Sequence, residues 1–230
     1  MPRIARVVAV AEPHHVTQRG NNRQQTFFTA ADRRIYLALL KTHCRRWRLD
    51  VLGYCLMPNH VHLIVIPERD DSLAKALGRT HYDYAVYLNG RRRRSGHLWQ
   101  NRFYSTVLEG SHLQAALRYV DLNPVRARLA QEATHYEWSS ARAHVAGSDP
   151  EGVLELEWWK EMCPLTNWAE ALLPTRDDEM KAEEIRRATR TGQPLGDEAF
   201  VLKLENAQQR SLRREKPGPK RPRSAAATAG

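Results

Sequence analysis

The alternation of apolar and polar positions divides the first 125 residues of the chain into short strands and longer helices. Two β-rich runs, "LDVLGYCLMP" and "HVHLIVIP", are separated only by Pro58 and Asn59, and this composition is typical of a tight turn. They predict an antiparallel hairpin. The segments "HHVTQRG" and "RFYSTVLE" predict two further strands. Helical periodicity is found in "ADRRIYLALLKTHCRRWRL", "LAKALGRTHYDYAVYLN" and "HLQAALRYVDLN".

Cap residues and element order then indicate the fold. Asp32, Ser72 and Ser111 are expected to begin the three helices, and Ile35 and Leu39 to lie on the buried side of the first one. The order is β-α-β-β-α-β-α, with a single hairpin in the middle. It predicts an α+β fold of the ferredoxin-like type, an antiparallel sheet with helices on one face.

The composition of the chain changes near residue 148. The stretch 149–215 is rich in acidic and tryptophan residues and predicts a helical extension to a domain formed by residues 1–148. The last residues, 216–230, combine proline, glycine, basic and small residues with nothing apolar to bury. They predict a disordered basic tail.

The charge of the chain suggests a polyanionic partner. The formal net charge is +10, and residues 1–150 hold 22 basic against 12 acidic residues, whereas residues 151–184 hold three against ten. Clustered basic side chains bind phosphates through counterion release. Nucleic acid is therefore the expected partner of the first two-thirds of the chain, ahead of an anionic membrane surface.

The three cysteines and the apolar runs exclude other classes. Cys44, Cys55 and Cys163 show no CxxC pairing, so neither a disulfide framework nor a cysteine zinc site is favoured. The early "VVAVA" is too short for a signal sequence, and no apolar run approaches the roughly 20 residues of a membrane span. We expect a cytoplasmic, nucleoid-associated protein with no membrane partner.

Two histidines interrupt the second strand of the predicted hairpin. Side chains alternate along a strand, so His60 and His62 project to one face and Val61 to the other. Such a pair can reach a single divalent cation. A lone His-x-His is weak evidence, because an exposed His60 at the turn and a half-buried, hydrogen-bonded His62 would give the same pattern.

The third predicted helix offers a further pair. Tyr119 and Asn123 are four residues apart and share a helical face, where a phenol and an amide oxygen could act together. Tyr119 is equally consistent with packing against Leu113 and Leu117. Pro124 disfavours helical geometry at Asn123, so either Asn123 ends the helix or Pro124 opens a second helical segment.

Several segments together resemble a known family. "YCLMPNHVHLIV", "LWQNRFYS", "RYVDLNPVRA" and "YEWSS" resemble, in order and spacing, the REP-associated tyrosine transposases, which are single-tyrosine HUH transposases acting on repetitive extragenic palindromes. The resemblance covers roughly residues 5–145. It implies a transposase that cleaves and rejoins single-stranded or hairpin DNA through a 5′-phosphotyrosine. A hairpin-binding protein that does not cut, or a metal-dependent phosphoesterase that uses water, would be the alternatives.

The resemblance also implies roles for particular residues. His60, His62 and Asn123 would hold Mg²⁺ or Mn²⁺, and Tyr119 would be the nucleophile. Family members more often carry Gln where this chain has Asn123, and Tyr104 in the basic segment "RFYS" is the chemical rival to Tyr119. A monomer is favoured over a dimer.

DNA contacts are predicted in two basic loops. Trp99 is equally consistent with a place in the core, whereas arginines and amides there suit phosphate and base contacts. The predicted DNA-binding residues are Arg19, Asn21, Asn22, Arg91, Arg92, Arg93, Arg94, Trp99 and Arg102.

Overall fold

A computed structural model describes residues 6–163 and 167–212. Its four strands are β1 (His14–Arg19), β2 (Leu49–Met57), β3 (His60–Pro67) and β4 (Tyr104–Val107). They form one antiparallel sheet in the order β2-β3-β1-β4, so the strand order and the β2–β3 hairpin of the predicted ferredoxin-like fold are confirmed. The tail predicted for residues 216–230 lies outside the described residues.

The helices follow the predicted order and continue beyond it. Two short 3-10 turns, Asn21–Arg23 and Ala133–His135, lie between the regular elements. The described helices are α1 (Ala30–Arg46), α2 (Ser72–Arg91), α3 (Gly110–Asp121), α4 (Asn123–Arg126), α5 (Ala141–Ala146), α6 (Leu156–Met162), α7 (Trp168–Ala171), α8 (Asp178–Thr191) and α9 (Glu198–Gln208). The predicted C-terminal helices are therefore present.

The three predicted helix caps are wrong by one to three residues. The capping positions are Thr29, Asp71 and Glu109 rather than Asp32, Ser72 and Ser111. At α1 the Thr29 side chain accepts from the Asp32 backbone N–H, and the Asp32 carboxylate accepts from the Thr29 N–H at 2.8 Å. Asp32 thus closes a capping box from the first turn of the helix.

The buried side of α1 also differs from the prediction. Tyr36 and Leu40 are fully buried, whereas Ile35 is 37% exposed and Leu39 is only partly buried. The buried carboxylate of Asp32 fixes the rotation of the helix, and positions four and eight residues further along follow it inward.

Both faces of the sheet are covered. Leu63 of β3 belongs to the core formed with α1 and α2. Ile64, on the opposite face, belongs to a second core that includes Leu117 of α3 and Ile185 of α8. The prediction of helices on one face therefore accounts for α1 and α2 only. The other face of the sheet is covered by α3 and the C-terminal extension.

The core continues across the predicted boundary at residue 148. Trp159 of α6 and Trp168 of α7 pack in the same cluster as the α3 side chains. The Asp121 carboxylate, near the end of α3, accepts hydrogen bonds from His144 and from the Trp168 indole. The boundary marks a change in composition, and the described residues on its two sides share one core.

The cysteines are all free thiols. Cys44, Cys55 and Cys163 are buried and form no disulfide with one another. Burial raises the pKa of Cys163 to about 11, so its thiol is protonated at neutral pH. In the described part of the chain, helices with the length and apolarity needed to cross a bilayer are absent.

Candidate active site

A cavity of about 420 Å³ opens on the sheet face that carries His60 and His62. Directly paired residues of antiparallel strands share a face. Thr17 pairs with His62 and Arg19 with His60, so β1 adds these side chains to the same surface. The strand alternation thus places the two imidazoles on one side of the sheet, with ring centroids 4.9 Å apart.

His60 presents one ring nitrogen to the cavity. The Asn59 amide nitrogen donates to the Arg23 carbonyl at 3.1 Å, so the Asn59 Oδ1 atom faces the His60 Nδ1 atom, 2.6 Å away. Because that oxygen can only accept, the proton of His60 lies on Nδ1. Burial, together with the nearby Arg19 charge, lowers the pKa of His60 to about 4. The ring is therefore neutral at pH 7, with a lone pair on Nε2.

His62 is more deeply buried, at 5% exposure. Its Nδ1 atom lies 2.9 Å from the His15 Nε2 atom, and the two rings stack at 5.1 Å. Burial, then the neighbouring His60, lowers the pKa of His62 well below its ordinary value, so this ring is also neutral. Among the described residues neither His60 nor His62 has a partner on Nε2, and no three His, Cys, Asp or Glu side chains there cluster as metal ligands.

Tyr119 and Asn123 reach the same cavity from the helices above it. α3 ends at Asp121, Leu122 keeps helical geometry, and α4 begins at Asn123 with Pro124 in its first turn. Pro124 thus opens a second helical segment. The Asn123 amide nitrogen donates to the Tyr119 carbonyl at 3.2 Å, which leaves Oδ1 without this bond.

The phenol ring of Tyr119 is both a core and a cavity group. The residue is 5% exposed and packs in the core cluster of α3, yet it also lines the cavity. Its ring centroid lies 5.4 Å from that of His62 and 5.5 Å from that of His15, nearly perpendicular to both. The Tyr119 side chain therefore packs in the core and also lines the cavity, so the two alternatives raised by the sequence do not exclude each other.

Two guanidinium groups flank the phenol. The Arg126 Cζ atom lies 4.5 Å and the Arg186 Cζ atom 5.8 Å from the centroid of the Tyr119 ring. Burial acts to lower the pKa of Arg186, but a hydrogen bond to Glu179 at 2.7 Å and the neighbouring Tyr119 raise it. Fixed positive charge beside the phenol attracts a phosphate.

Tyr104 lines the same cavity from the edge strand. It pairs with Thr17 on the cavity face and is 41% exposed. Both Tyr104 and Tyr119 therefore remain candidate nucleophiles in the structure. Tyr119 differs in its contact with the His62 ring and in its two arginine neighbours.

The predicted DNA-binding residues divide between two places. Arg19 lines the cavity of the histidines, whereas Asn21, Trp99 and Arg102 line an adjacent cavity of about 650 Å³. Gln100 lines both cavities. The Trp99 indole donates to the His81 carbonyl at 2.8 Å and packs on the core, so it forms part of the cavity wall.

The run of four arginines lies outside both cavities. Arg91 is held by the buried carboxylate of Asp32 at 2.6 Å, and the Arg92 guanidinium stacks 3.7 Å from the Phe28 ring centroid. The structure thus gives Arg91 a structural partner. The members of the predicted set that are exposed and lie outside the two cavities are Asn22, Arg91, Arg92, Arg93 and Arg94.

Several cavity residues escaped the sequence analysis. His15 could have been found, since it alternates with Thr17 and Arg19 along "HHVTQRG". Arg186 and Thr189 come from α8, more than 60 residues after Tyr119, in a stretch that reads as an ordinary charged helix. Nothing local in the sequence points to them.

Comparison with known proteins agrees with this architecture. The family described as "Transposase IS200 like" matches residues 11–123. A solved structure described as "Structure of the REP associates tyrosine transposase bound to a REP hairpin" has a TM-score of 0.56 and 18% identity, and the match covers 66% of this chain and 90% of that chain. The predicted fold class is therefore confirmed.

A second solved structure is more distant. It is provisionally described as a transposase from Deinococcus radiodurans R1, with a TM-score of 0.36 and 18% identity over 56% of this chain and 94% of that chain. That score is too low to support an argument about the fold. No curated protein matches this chain.

Proposed function

We propose that this chain, whose residues 11–123 match the IS200-like transposase family, cleaves and rejoins single-stranded DNA at palindromic hairpins with Tyr119 as the nucleophile. One observation carries the proposal. A phenol flanked by two arginines contacts one of two neutral imidazoles that share a cavity. Two imidazoles, an amide and a phenol in one open site suit phosphodiester transfer better than acyl or redox chemistry.

The donor set fits a divalent cation. His60 and His62 are neutral and on one side of the sheet, and the Nε2 lone pair of His60 has no described partner. Asn123 would add a neutral amide oxygen. Mg²⁺ accepts such oxygen ligands, and imidazole nitrogen favours Mn²⁺. A bound cation would polarise the scissile phosphate and offset charge in the transition state.

The protein residues would align the phenol and the phosphate. The perpendicular packing of Tyr119 on His15 and His62 restricts its ring, and Arg126 and Arg186 place positive charge beside it, where a phosphate would bind. As the tyrosyl oxygen binds phosphorus, the bond from phosphorus to the 3′ oxygen breaks and a 3′-hydroxyl leaves. The 5′-phosphotyrosine conserves the bond energy, so a later hydroxyl can rejoin strands without ATP.

DNA would enter along the two adjoining cavities. Arg19 lies beside the histidines and can contact the phosphate nearest the reaction. Asn21 and Arg102, with the Trp99 wall, can contact bases and backbone of the neighbouring nucleotides. Since Tyr119 and the histidine pair come from one chain, the site needs no second copy, which supports a monomer.

The decisive experiment is detection of a covalent adduct. Wild-type protein is incubated with a labelled hairpin-bearing single strand and Mn²⁺, then denatured and resolved by gel electrophoresis. We expect a protein–DNA adduct that is lost in Tyr119→Phe and retained in the matched variant Tyr104→Phe. His60→Ala and His62→Ala should abolish the adduct while most hairpin binding remains.

The rival functions give different results in the same assay. Cleavage that survives Tyr119→Phe without attached DNA would indicate a water-using phosphoesterase. Tight hairpin binding with no cleavage by the wild-type protein would indicate a binding protein. An adduct lost only in Tyr104→Phe would move the nucleophile to β4.

A further inference from the structure

We propose that His15 and Thr189 are positioning residues that hold His62 in the tautomer protonated on Nδ1, so that the Nε2 lone pair of His62 faces the cavity. The inference rests on the proposed function, because it concerns the way in which a candidate ligand is prepared for a cation. It assigns a role to two residues, one in β1 and one in the C-terminal extension.

A relay of hydrogen bonds runs from Thr189 in α8 through His15 to His62. The Thr189 Oγ1 atom lies 2.8 Å from the Ile185 carbonyl oxygen and 2.6 Å from the His15 Nδ1 atom. A helical threonine commonly donates to the carbonyl four residues earlier, and Thr191 does the same to Arg187 at 2.9 Å. The single hydroxyl hydrogen of Thr189 is then used on Ile185. Its oxygen is left to accept from His15, so the proton of His15 lies on Nδ1.

The tautomer of His15 determines which ring nitrogen of His62 carries the proton. His15 is 1% exposed, and its described hydrogen-bond partners are a hydroxyl and an imidazole rather than a carboxylate, so its ring is neutral. A neutral imidazole has one proton, and with that proton on Nδ1 the Nε2 atom carries a lone pair. This atom lies 2.9 Å from the His62 Nδ1 atom. His62 must therefore supply the hydrogen of that bond.

His62 is then in the same tautomer as His60, with the proton on Nδ1. Asn59 holds the His60 proton on Nδ1, and the relay from Thr189 through His15 does the same for His62. Both rings then offer Nε2. Metal-binding histidines usually donate their other ring N–H to an acceptor that fixes the tautomer. If the relay ran in the opposite direction, His62 would carry its proton on Nε2 and could not bind a cation there.

The tautomer of His62 can be read directly by NMR. In uniformly ¹⁵N-labelled protein without metal or DNA, long-range ¹H–¹⁵N spectra distinguish protonated from unprotonated imidazole nitrogens. The chain has ten histidines, so His15 and His62 would be assigned by single substitution. We expect both residues as the Nδ1–H tautomer. A wild-type spectrum showing His62 protonated on Nε2 overturns the proposal.

The matched variants test the origin of the preference. Thr189→Val removes the hydroxyl at constant shape, which leaves a buried His15 N–H without an acceptor and should shift His62 toward the Nε2–H form. Thr189→Ser keeps the hydroxyl and should preserve the wild-type spectrum. Thr191→Val removes an equivalent hydroxyl from the same helix and should also leave the spectrum unchanged. An unchanged His62 spectrum in Thr189→Val overturns the relay.

Titration with Mn²⁺ alone supplies a second measurement. Free Mn²⁺ followed by electron paramagnetic resonance should give a dissociation constant about tenfold weaker in Thr189→Val than in Thr189→Ser or wild type. Equal affinities in the three proteins contradict the proposal. Absence of a covalent DNA adduct would refute the proposed function but not the tautomer, which is measured without metal or DNA.

Discussion

Removal of the Asp121 carboxylate should be among the most destabilising single changes in this fold. The side chain is fully buried and accepts hydrogen bonds from Ser140 at 2.6 Å, from His144 at 2.7 Å and from Trp168 at 2.9 Å. The His144 Nε2 atom faces the Leu52 carbonyl at 2.8 Å. Both ring nitrogens of His144 therefore face buried oxygen atoms, and the Asp121 carboxylate is one of these partners.

The expected cost of Asp121→Ala follows from these contacts. The substitution removes the acceptor of the buried His144 and Trp168 side chains, whereas the Ser140 hydroxyl keeps the Tyr54 carbonyl at 3.2 Å. A buried donor without an acceptor costs about 1–3 kcal/mol, so we expect a total of about 3–5 kcal/mol. Because a domain is stable by only about 5–15 kcal/mol, this is a large share of the total. For a chain of this size we expect a fall in Tm of about 10 °C.

Urea denaturation followed by circular dichroism measures this cost. The matched control is Glu137→Ala, which breaks the ion pair with Arg34 at 3.8 Å, where both side chains are 61% exposed. That change should stay within about 0.5 kcal/mol. The double variant Asp121→Ala with His144→Ala should cost less than the sum of the single changes by about 2 kcal/mol. A cost below about 1 kcal/mol for Asp121→Ala, or strict additivity, would refute the stabilising role of the buried hydrogen bond between Asp121 and His144.

Three further predictions concern charge and the candidate site. Arg91→Ala should lower the free energy of unfolding through the loss of its contact with the buried Asp32 carboxylate, whereas Arg93→Ala should leave stability unchanged and reduce the salt dependence of hairpin binding by about one phosphate contact. Burial lowers the pKa of His14 to about 4 and of His81 to about 3, so the unfolded chain binds more protons below pH 6.5. Their stabilisation is complete above that pH, and together they should lose about 2 kcal/mol between pH 6 and pH 5 in urea titrations. Asn123→Ala should slow adduct formation roughly tenfold in the gel assay, and abolition would show that the amide is indispensable.

The sequence predicts those features of the fold that depend on neighbouring residues. The turn at Pro58 and Asn59 and the alternation along β3 are local, so the hairpin and the common face of His60 and His62 could be predicted. The spacing of Tyr119 and Asn123 is also local, and Leu122 carries the helical geometry through to Pro124. Strand and helix periods therefore bring these four side chains to one side of the sheet.

The same sequence does not predict which polar groups meet over long distances. Asp32 looks like an ordinary helix cap, but its buried carboxylate also binds Arg91, 59 residues away. Because the sequence does not show that partner, a run of arginines predicts a phosphate-binding surface. The pairing is decided by the packing of α1 on α2, and composition carries no information about it.

The two candidate ligands show this division within one site. The acceptor that orients His60 is Asn59, its neighbour in the chain, and the Arg23 carbonyl in the loop after β1 orients that amide. The acceptors that orient His62 are His15 and then Thr189, which lie 47 residues before it and 127 residues after it. The tautomer of His60 therefore depends on the turn and on the loop after β1, whereas that of His62 depends on the pairing of β1 with β3 and on α8 docking on the sheet. It follows that a change that displaces α8 should weaken the ligand properties of His62 and leave those of His60 intact.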